Sequence, residues 1–428
     1  MSRDRLFHPA RNFLFLSSLA LLVSPGRAED WSEYRGANGD GIAREKIAPE
    51  IFNHPAKKLW TAPTPDGFSS FITGGGKVFT VVSRDVSGAP IAMLIALDAR
   101  TGKELWSAPT GVAMFPKGGD KGADGNSGGD GPRSTPSYSD GKVLIYSADM
   151  ILQCLNAANG QVMWKKDIGH EFGGRNIGWK SAMSPVVDNK RVFVAGGGAG
   201  ESMLCFDLGS GEVVWKVGDE KMTHATPVIA DLQGVRQAIF LMQSGLVAVD
   251  AANGKSLWKF PFPYSTATAC SPVVCGDIVF CTAGYGVGGA GCRVTKENGV
   301  FSAQEAWRKR GDNTAASLWS TPVYKQGYLY GMISYKKFGS GPLKCLDAKT
   351  GEVKWEQEGF GAGNVILSGD TLLALADDGE VVAVKAAPDG YHELSRTKAI
   401  GGKCWSTPAL SDGKLFVRST TEGACIGW

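Results

Sequence analysis

A chain of 428 residues could hold two ordinary domains, and its 43% apolar content can build a substantial core. With 45 basic and 42 acidic side chains, the formal charge of +3 gives no electrostatic reason to expect a nucleic-acid partner. The 58 glycines, above the usual share of about 7%, and the absence of any long amphipathic pattern exclude a helical solenoid and point to a chain that turns many times.

The first element, residues 1–28, reads as a targeting segment. Arg3, Arg5 and Arg11 precede an apolar stretch from Phe13 to Val23, and Gly26 and Ala28 supply small residues for cleavage. Eleven apolar-rich positions are too few to span a bilayer, so a periplasmic or secreted protein without a transmembrane segment is expected. Cleavage takes away four basic residues and one acidic one, leaving 41 of each. Residues 29–56 then form a non-repetitive lead-in, followed by one repetitive unit over residues 57–428.

Two phrases alternate through that unit. The first ends in tryptophan: LDARTGKELW at Leu97–Trp106, then copies ending at Trp164, Trp215, Trp258 and Trp355, a stretched copy ending at Trp307, and a remnant ending at Trp60. Successive tryptophans are 46, 58, 51, 43, 49 and 48 residues apart, the period of a four-stranded propeller blade. Within the phrase Asp98 is placed to cap its own turn, Gly102 to supply the positive φ that closes it, and Trp106 to cover the gap to a neighbouring blade. The second phrase, as in STPSYSDGKVLIY at Ser134, is a small residue and a proline opening a strand, a polar turn and a second strand.

Counting the phrases predicts an all-β, eight-bladed propeller. Six blades close at tryptophans, a seventh spans Ile366–Leu394 with Leu394 in the tryptophan place, and an eighth starts at Ser406. That eighth blade lacks an outer strand, which Lys57–Trp60 would supply, closing the ring with the two ends of the chain and leaving no open sheet edge.

ALDARTGKELW is similar to the tryptophan-docking motif of the pyrroloquinoline quinone (PQQ) repeat propellers, and WSEYRGANGDGIA at Trp31–Ala43 resembles the lead-in of exported members. The resemblance covers Trp31 to the C-terminus. It implies the propeller fold and two functional alternatives: a non-catalytic scaffold that binds protein partners, or a quinoprotein dehydrogenase holding PQQ and calcium on the axis. The neighbouring-cysteine pair that many such dehydrogenases stack against the quinone has no counterpart here, and the scaffold is the expected role, with no catalytic or metal-binding residue assigned.

The residues just before each second-phrase strand converge at one mouth of the channel. Arg133, Trp179, Lys180, His224, Trp319, Asn364 and Trp405 are the candidate cofactor-binding residues, accompanied by Lys221 and Lys403. Cationic and aromatic groups aimed at one axis suit a small, flat anionic ligand, through charge-assisted hydrogen bonds and stacking. In the loop Pro116–Arg133, Asp120, Asp124, Asn126 and Asp130 offer oxygen ligands, but Gly128 and Thr135 stand where an EF-hand needs an oxygen ligand and a glutamate, so a solvated insertion is expected. Of nine cysteines, Cys154, Cys205 and Cys345 occupy the alanine position of other copies and read as small core residues. Cys281 and Cys292 flank a glycine loop, where a hairpin would allow either a disulfide or two buried thiols.

Overall fold

The computed structural model describes residue 1 and residues 29–114, 131–266, 268–333 and 341–428. The expected targeting segment, with the four candidate oxygen ligands of the Pro116–Arg133 loop, lies outside the described residues. Eight four-stranded antiparallel blades are arranged in a ring, seven of them built from consecutive strands in order from axis to rim. Blade 1 runs from Ile72–Gly74 at the axis to Glu104–Val112 at the rim. Blades 2 to 7 follow with inner strands Ser137–Ser139, Val186–Asp188, Val228–Leu232, Val273–Cys275, Val323–Lys325 and Asn364–Ser368. Among the described residues, helix is confined to a 3-10 turn at Pro49–Asn53 and one turn at Ile168–Glu171.

Blade 8 closes as anticipated. Lys57–Pro63 pairs antiparallel with Glu422–Gly427, outside Lys414–Arg418 and Ala409–Ser411. Arg418 fastens this blade to the first one. Its buried guanidinium donates to the carbonyls of Ser69 at 2.6 Å and Val81 at 2.8 Å, to Thr80 Oγ1 at 2.8 Å, and to the carbonyls of Thr64 and Asp66. Burial lowers its pKa to about 9, which leaves it charged at neutral pH, where carbonyl dipoles replace lost water.

The tryptophan phrase is an inter-blade clasp. Each tryptophan sits just past a bulge in the outer strand, opposite a small residue: Ala96, Cys154, Cys205, Ala248, Gly291, Cys345 or Cys425. Cys154, Cys205 and Cys345 are thus core residues at the alanine position, their thiols pushed up to about 12 by burial. From there the indole reaches the next blade's turn and donates its Nε1–H to a carbonyl. The pairs are Trp60 to Ala99 at 3.0 Å, Trp106 to Ala157 at 3.1 Å, Trp164 to Leu208 at 3.1 Å, Trp215 to Ala251 at 3.1 Å, Trp307 to Ala348 at 2.9 Å and Trp355 to Ala387 at 2.8 Å.

The turn glycine has two duties. Gly160 has φ +75°, and a Cβ there would come within 2.5 Å of the Trp106 ring, so the clasp closes only on glycine. Asp98 caps its turn as expected, accepting from the amides of Arg100 and Thr101 at 3.1 and 2.9 Å.

Two seams depart from the pattern. Blade 5 carries the stretched copy of the phrase, and Trp258 turns back to Gln237 Oε1 within its own blade, at 2.7 Å. In blade 7 the bulge places Ser395, not Leu394, opposite the small residue Ala383. Leu394 therefore leaves the tryptophan register and points out to solvent. Cys281 and Cys292 lie on neighbouring strands but out of direct register, paired with Ala290 and Val279, and both are free, buried thiols.

The lead-in crosses the channel. Trp31 exchanges hydrogen bonds with Thr73 of blade 1, Ser32 accepts from the Tyr138 amide of blade 2, and Glu33 accepts from the Val187 amide of blade 3. Arg35 donates to the Pro322 carbonyl at 2.6 Å, and Ile42–Ala43 adds a short parallel strand to the inner edge of blade 7. One segment thus ties five blades from inside.

Candidate functional site

The second phrase builds the mouth of the channel. Its serine or threonine before proline, or in blade 1 Ser70 before Phe71, offers a hydroxyl to the backbone amide of the preceding blade. Thr407 N donates to Ser70 Oγ, Ser70 N to Thr135 Oγ1, Thr135 N to Ser184 Oγ and Ser184 N to Thr226 Oγ1, at 2.9 to 3.0 Å. Ser271 N to Thr321 Oγ1 repeats the link across the ring at 3.0 Å. A buried amide next to a proline would otherwise lack a ladder partner, and the collar supplies one.

Inside the collar lies a cavity of about 200 Å³. Tyr34 of the lead-in is its floor, hydrogen-bonded to Thr321 and Thr407, its phenol pKa raised by burial. One wall is aromatic. Trp405 stacks on Phe68 at 4.9 Å between centroids and tilts against Trp319 at 4.4 Å. The opposite wall carries Arg133, His224 and Trp179. Arg133 donates to the Trp179 carbonyl at 2.7 Å, its guanidinium carbon 6.0 Å from the indole centroid. Tyr285 and Leu318 complete the rim.

Five of the seven sequence-derived candidates therefore meet: Arg133, Trp179, His224, Trp319 and Trp405 line one cavity. Two do not. Lys180 turns away to Asp149, 3.2 Å from its carboxylate, because Trp179 and Lys180 both take left-handed backbone, with φ +70° and +61°. Asn364 is buried in the innermost strand of blade 7, where its Nδ2 donates to the Trp405 carbonyl at 2.7 Å and holds that wall in place. Lys403 lies 4.6 Å from the face of Trp405, and Lys221 does not line the cavity. Tyr34, Phe68 and the hydroxyl collar went unanticipated. The recurring serine or threonine before proline was the available signal for the collar.

His224 is neutral. Burial and then the Arg133 charge lower its pKa to about 4, against a hydrogen bond from Nε2 to the Gly178 carbonyl at 3.0 Å. No lining residue is an aspartate or glutamate, and no group of three or more metal-ligating side chains occurs among the described residues. The described residues do not fit a calcium-bound quinone: there is no carboxylate to hold the ion or take a substrate proton, and one guanidinium is the cavity's charge.

A closed ring of eight four-stranded blades, joined at most seams by a tryptophan clasp, defines a β-propeller of the PQQ-like repeat class. More particularly, the chain belongs to the family described as outer membrane protein assembly factor BamB, whose model matches residues 91–321 and 339–426. It is similar to BamB of Shewanella oneidensis, 24% identical over 367 residues, covering 81% of this chain and 86% of that protein. Tetrathionate hydrolase of Acidithiobacillus ferrooxidans is 23% identical over 288 residues, covering 65% of this chain and 49% of the hydrolase. Among solved structures, BamB from Moraxella catarrhalis has a TM-score of 0.59 at 14% identity, covering 88% of this chain and 98% of that one. Quinohemoprotein alcohol dehydrogenase from Comamonas testosteroni has a TM-score of 0.63, also at 14% identity, covering 93% and 80%. At that identity the structural likenesses speak for the fold alone.

Proposed function

We propose that this protein is an exported, non-catalytic scaffold of the periplasm that holds protein partners engaged in outer-membrane protein assembly. The observation that carries the reading is the chemistry of the axial cavity. Its imidazole is neutral and bonded to backbone, and among the described residues no carboxylate or thiolate shares the cavity with it. An acid–base enzyme needs a group that can exchange protons near its working pH. This cavity offers shape and apolar surface instead.

Membership of a family described by outer-membrane assembly supports the partner class. Rigidity supports the mode of action, because clasped blades present their loops with little entropy left to lose on binding. Photo-crosslinking in cells tests it, with a photoreactive residue at Thr266 or Tyr285 on the cavity rim and at Gly141, a turn away from it. Discrete adducts with outer-membrane assembly proteins are expected. PQQ- and calcium-dependent turnover of an alcohol in a dye-linked assay, with no adduct from any position, would overturn the reading in favour of a quinoprotein dehydrogenase.

A further inference from the structure

The sequence holds four Asn–Gly pairs: Asn38–Gly39, Asn159–Gly160, Asn253–Gly254 and Asn298–Gly299. Asparagine is a thermally labile residue, and most so before glycine, where no side chain shields its amide carbon from the next main-chain nitrogen. Folding treats the four pairs differently. At three of them both reacting groups are held. Gly39 N donates to the Gly36 carbonyl at 2.9 Å, and Gly160 N and Gly254 N donate to the carbonyls of Asn156 and Asp250 at 2.8 Å. The Oδ1 atoms of Asn38, Asn159 and Asn253 accept from the Arg44 guanidinium, the Gln161 amide and the Lys255 amide, at 3.1, 3.0 and 2.9 Å. The rings of Trp106 and Trp215 also cover Gly160 and Gly254.

Asn298–Gly299 belongs to the stretched copy of the phrase. The stretch carries its turn to the tip of the hairpin between Gly288–Glu297 and Val300–Lys309, and Trp258 bonds within its own blade instead of reaching it. With φ +49° and +83°, the pair makes a two-residue turn of the kind that Asn-Gly favours. Asn298 is exposed, and among the described residues neither its side chain nor the Gly299 amide has a hydrogen-bond partner. Nothing lies within 4 Å of where a Gly299 Cβ would stand. A tip so sparsely packed opens at little cost in free energy, so its peptide plane can turn to bring nitrogen and Cγ together.

We propose that Asn298 is a site of spontaneous deamidation and isoaspartate formation, left reactive by a fold that protects the other three pairs. The Gly299 nitrogen, its proton taken by solvent base, attacks Cγ of Asn298; the Cγ–Nδ2 bond breaks and the side-chain nitrogen leaves as ammonia. Water then opens the cyclic imide at Cγ to give aspartate, or at the main-chain carbonyl to give isoaspartate. Isoaspartate lengthens the main chain by one carbon, and either product sets a carboxylate beside Glu297. Both changes fall on the hairpin whose outer strand packs against Ser256–Pro261 of blade 4, at the seam where the tryptophan does not bond across. The reaction needs no partner and so does not depend on the scaffold role.

The purified full chain, aged at mildly alkaline pH, tests this by peptide mapping in a mass spectrometer and by enzymatic methylation of isoaspartyl groups. Asn298 is expected to convert roughly tenfold faster than Asn38, Asn159 or Asn253, because only its tip opens without breaking a clasp or a capped turn. In denaturant the four sites are expected to convert at similar rates. Asn298→Gly, which suits the same turn, is expected to remove the fast reaction and leave the melting temperature unchanged. Similar rates at all four sites in the folded chain, a faster rate at any of the other three, or a lead for Asn298 that denaturant leaves intact would overturn the proposal.

Discussion

The rim and the axis of this ring are built on opposite rules. At the rim one phrase recurs, and at five seams, those of Trp60, Trp106, Trp164, Trp215 and Trp307, it makes the same bulge, the same indole hydrogen bond and the same ring-over-glycine contact. At the axis only the hydroxyl collar recurs. The groups inside it differ from blade to blade: Phe68 from blade 1, Arg133 from blade 2, Trp179 from blade 3, His224 from blade 4, Trp319 from blade 6 and Trp405 from blade 8. Repetition supplies stability, and departure from repetition supplies the surface that can recognise something.

Substitutions should separate the two rules. The largest loss is expected where the ring closes: Arg418→Met removes the guanidinium donors to four carbonyls and to Thr80 Oγ1 and should cost about 4 kcal/mol by chemical denaturation. Gly160→Val at the rim should cost about 3 kcal/mol, because positive φ and the Trp106 clash act together. Gly141→Val has nearly the same φ, +72°, with nothing within 4 Å, and should cost only about 1–2 kcal/mol. Equal losses at the two glycines would show that the clasp contributes little. Trp215→Phe keeps the apolar contact but drops the hydrogen bond to Ala251, for about 1–2 kcal/mol.

A further effect concerns the axis and depends on pH. Burial raises the carboxyl pKa of Glu33 to about 8 from 4.5, more than its bond from the Val187 amide lowers it. The folded chain therefore holds a proton that the unfolded chain gives up. Stability from this group is complete below pH 4.5 and is lost as pH rises to about 8, so the melting temperature should fall across that window and flatten in Glu33→Gln. His224 acts in the opposite sense: its lowered pKa means stability present above pH 6.5 and lost as pH falls toward 4.

The same contrast explains what was legible in the sequence. Blade number, the tryptophan seams and closure by residues near Lys57 could be read because each copy corroborates the others. Leu394 was misassigned where the phrase had decayed, since a bulge shifts register by one residue and the sequence no longer marks it. At the axis, the approach of five candidates followed from their place before each strand. The direction of a side chain did not follow: left-handed backbone swings Lys180 outward, and Asn364 serves the inside of the wall. Tyr34 was hidden for another reason, because it belongs to the lead-in and no periodicity points to it.

Pairing of Lys57–Pro63 with Glu422–Gly427 has a consequence for the order of synthesis. A strand made among the first must wait, unpartnered, until the last residues have emerged. Each intermediate length of nascent chain is an open crescent with a bare strand at either end. Losing even the final six residues would thus leave a molecule with nearly every blade intact and no means of becoming a circle.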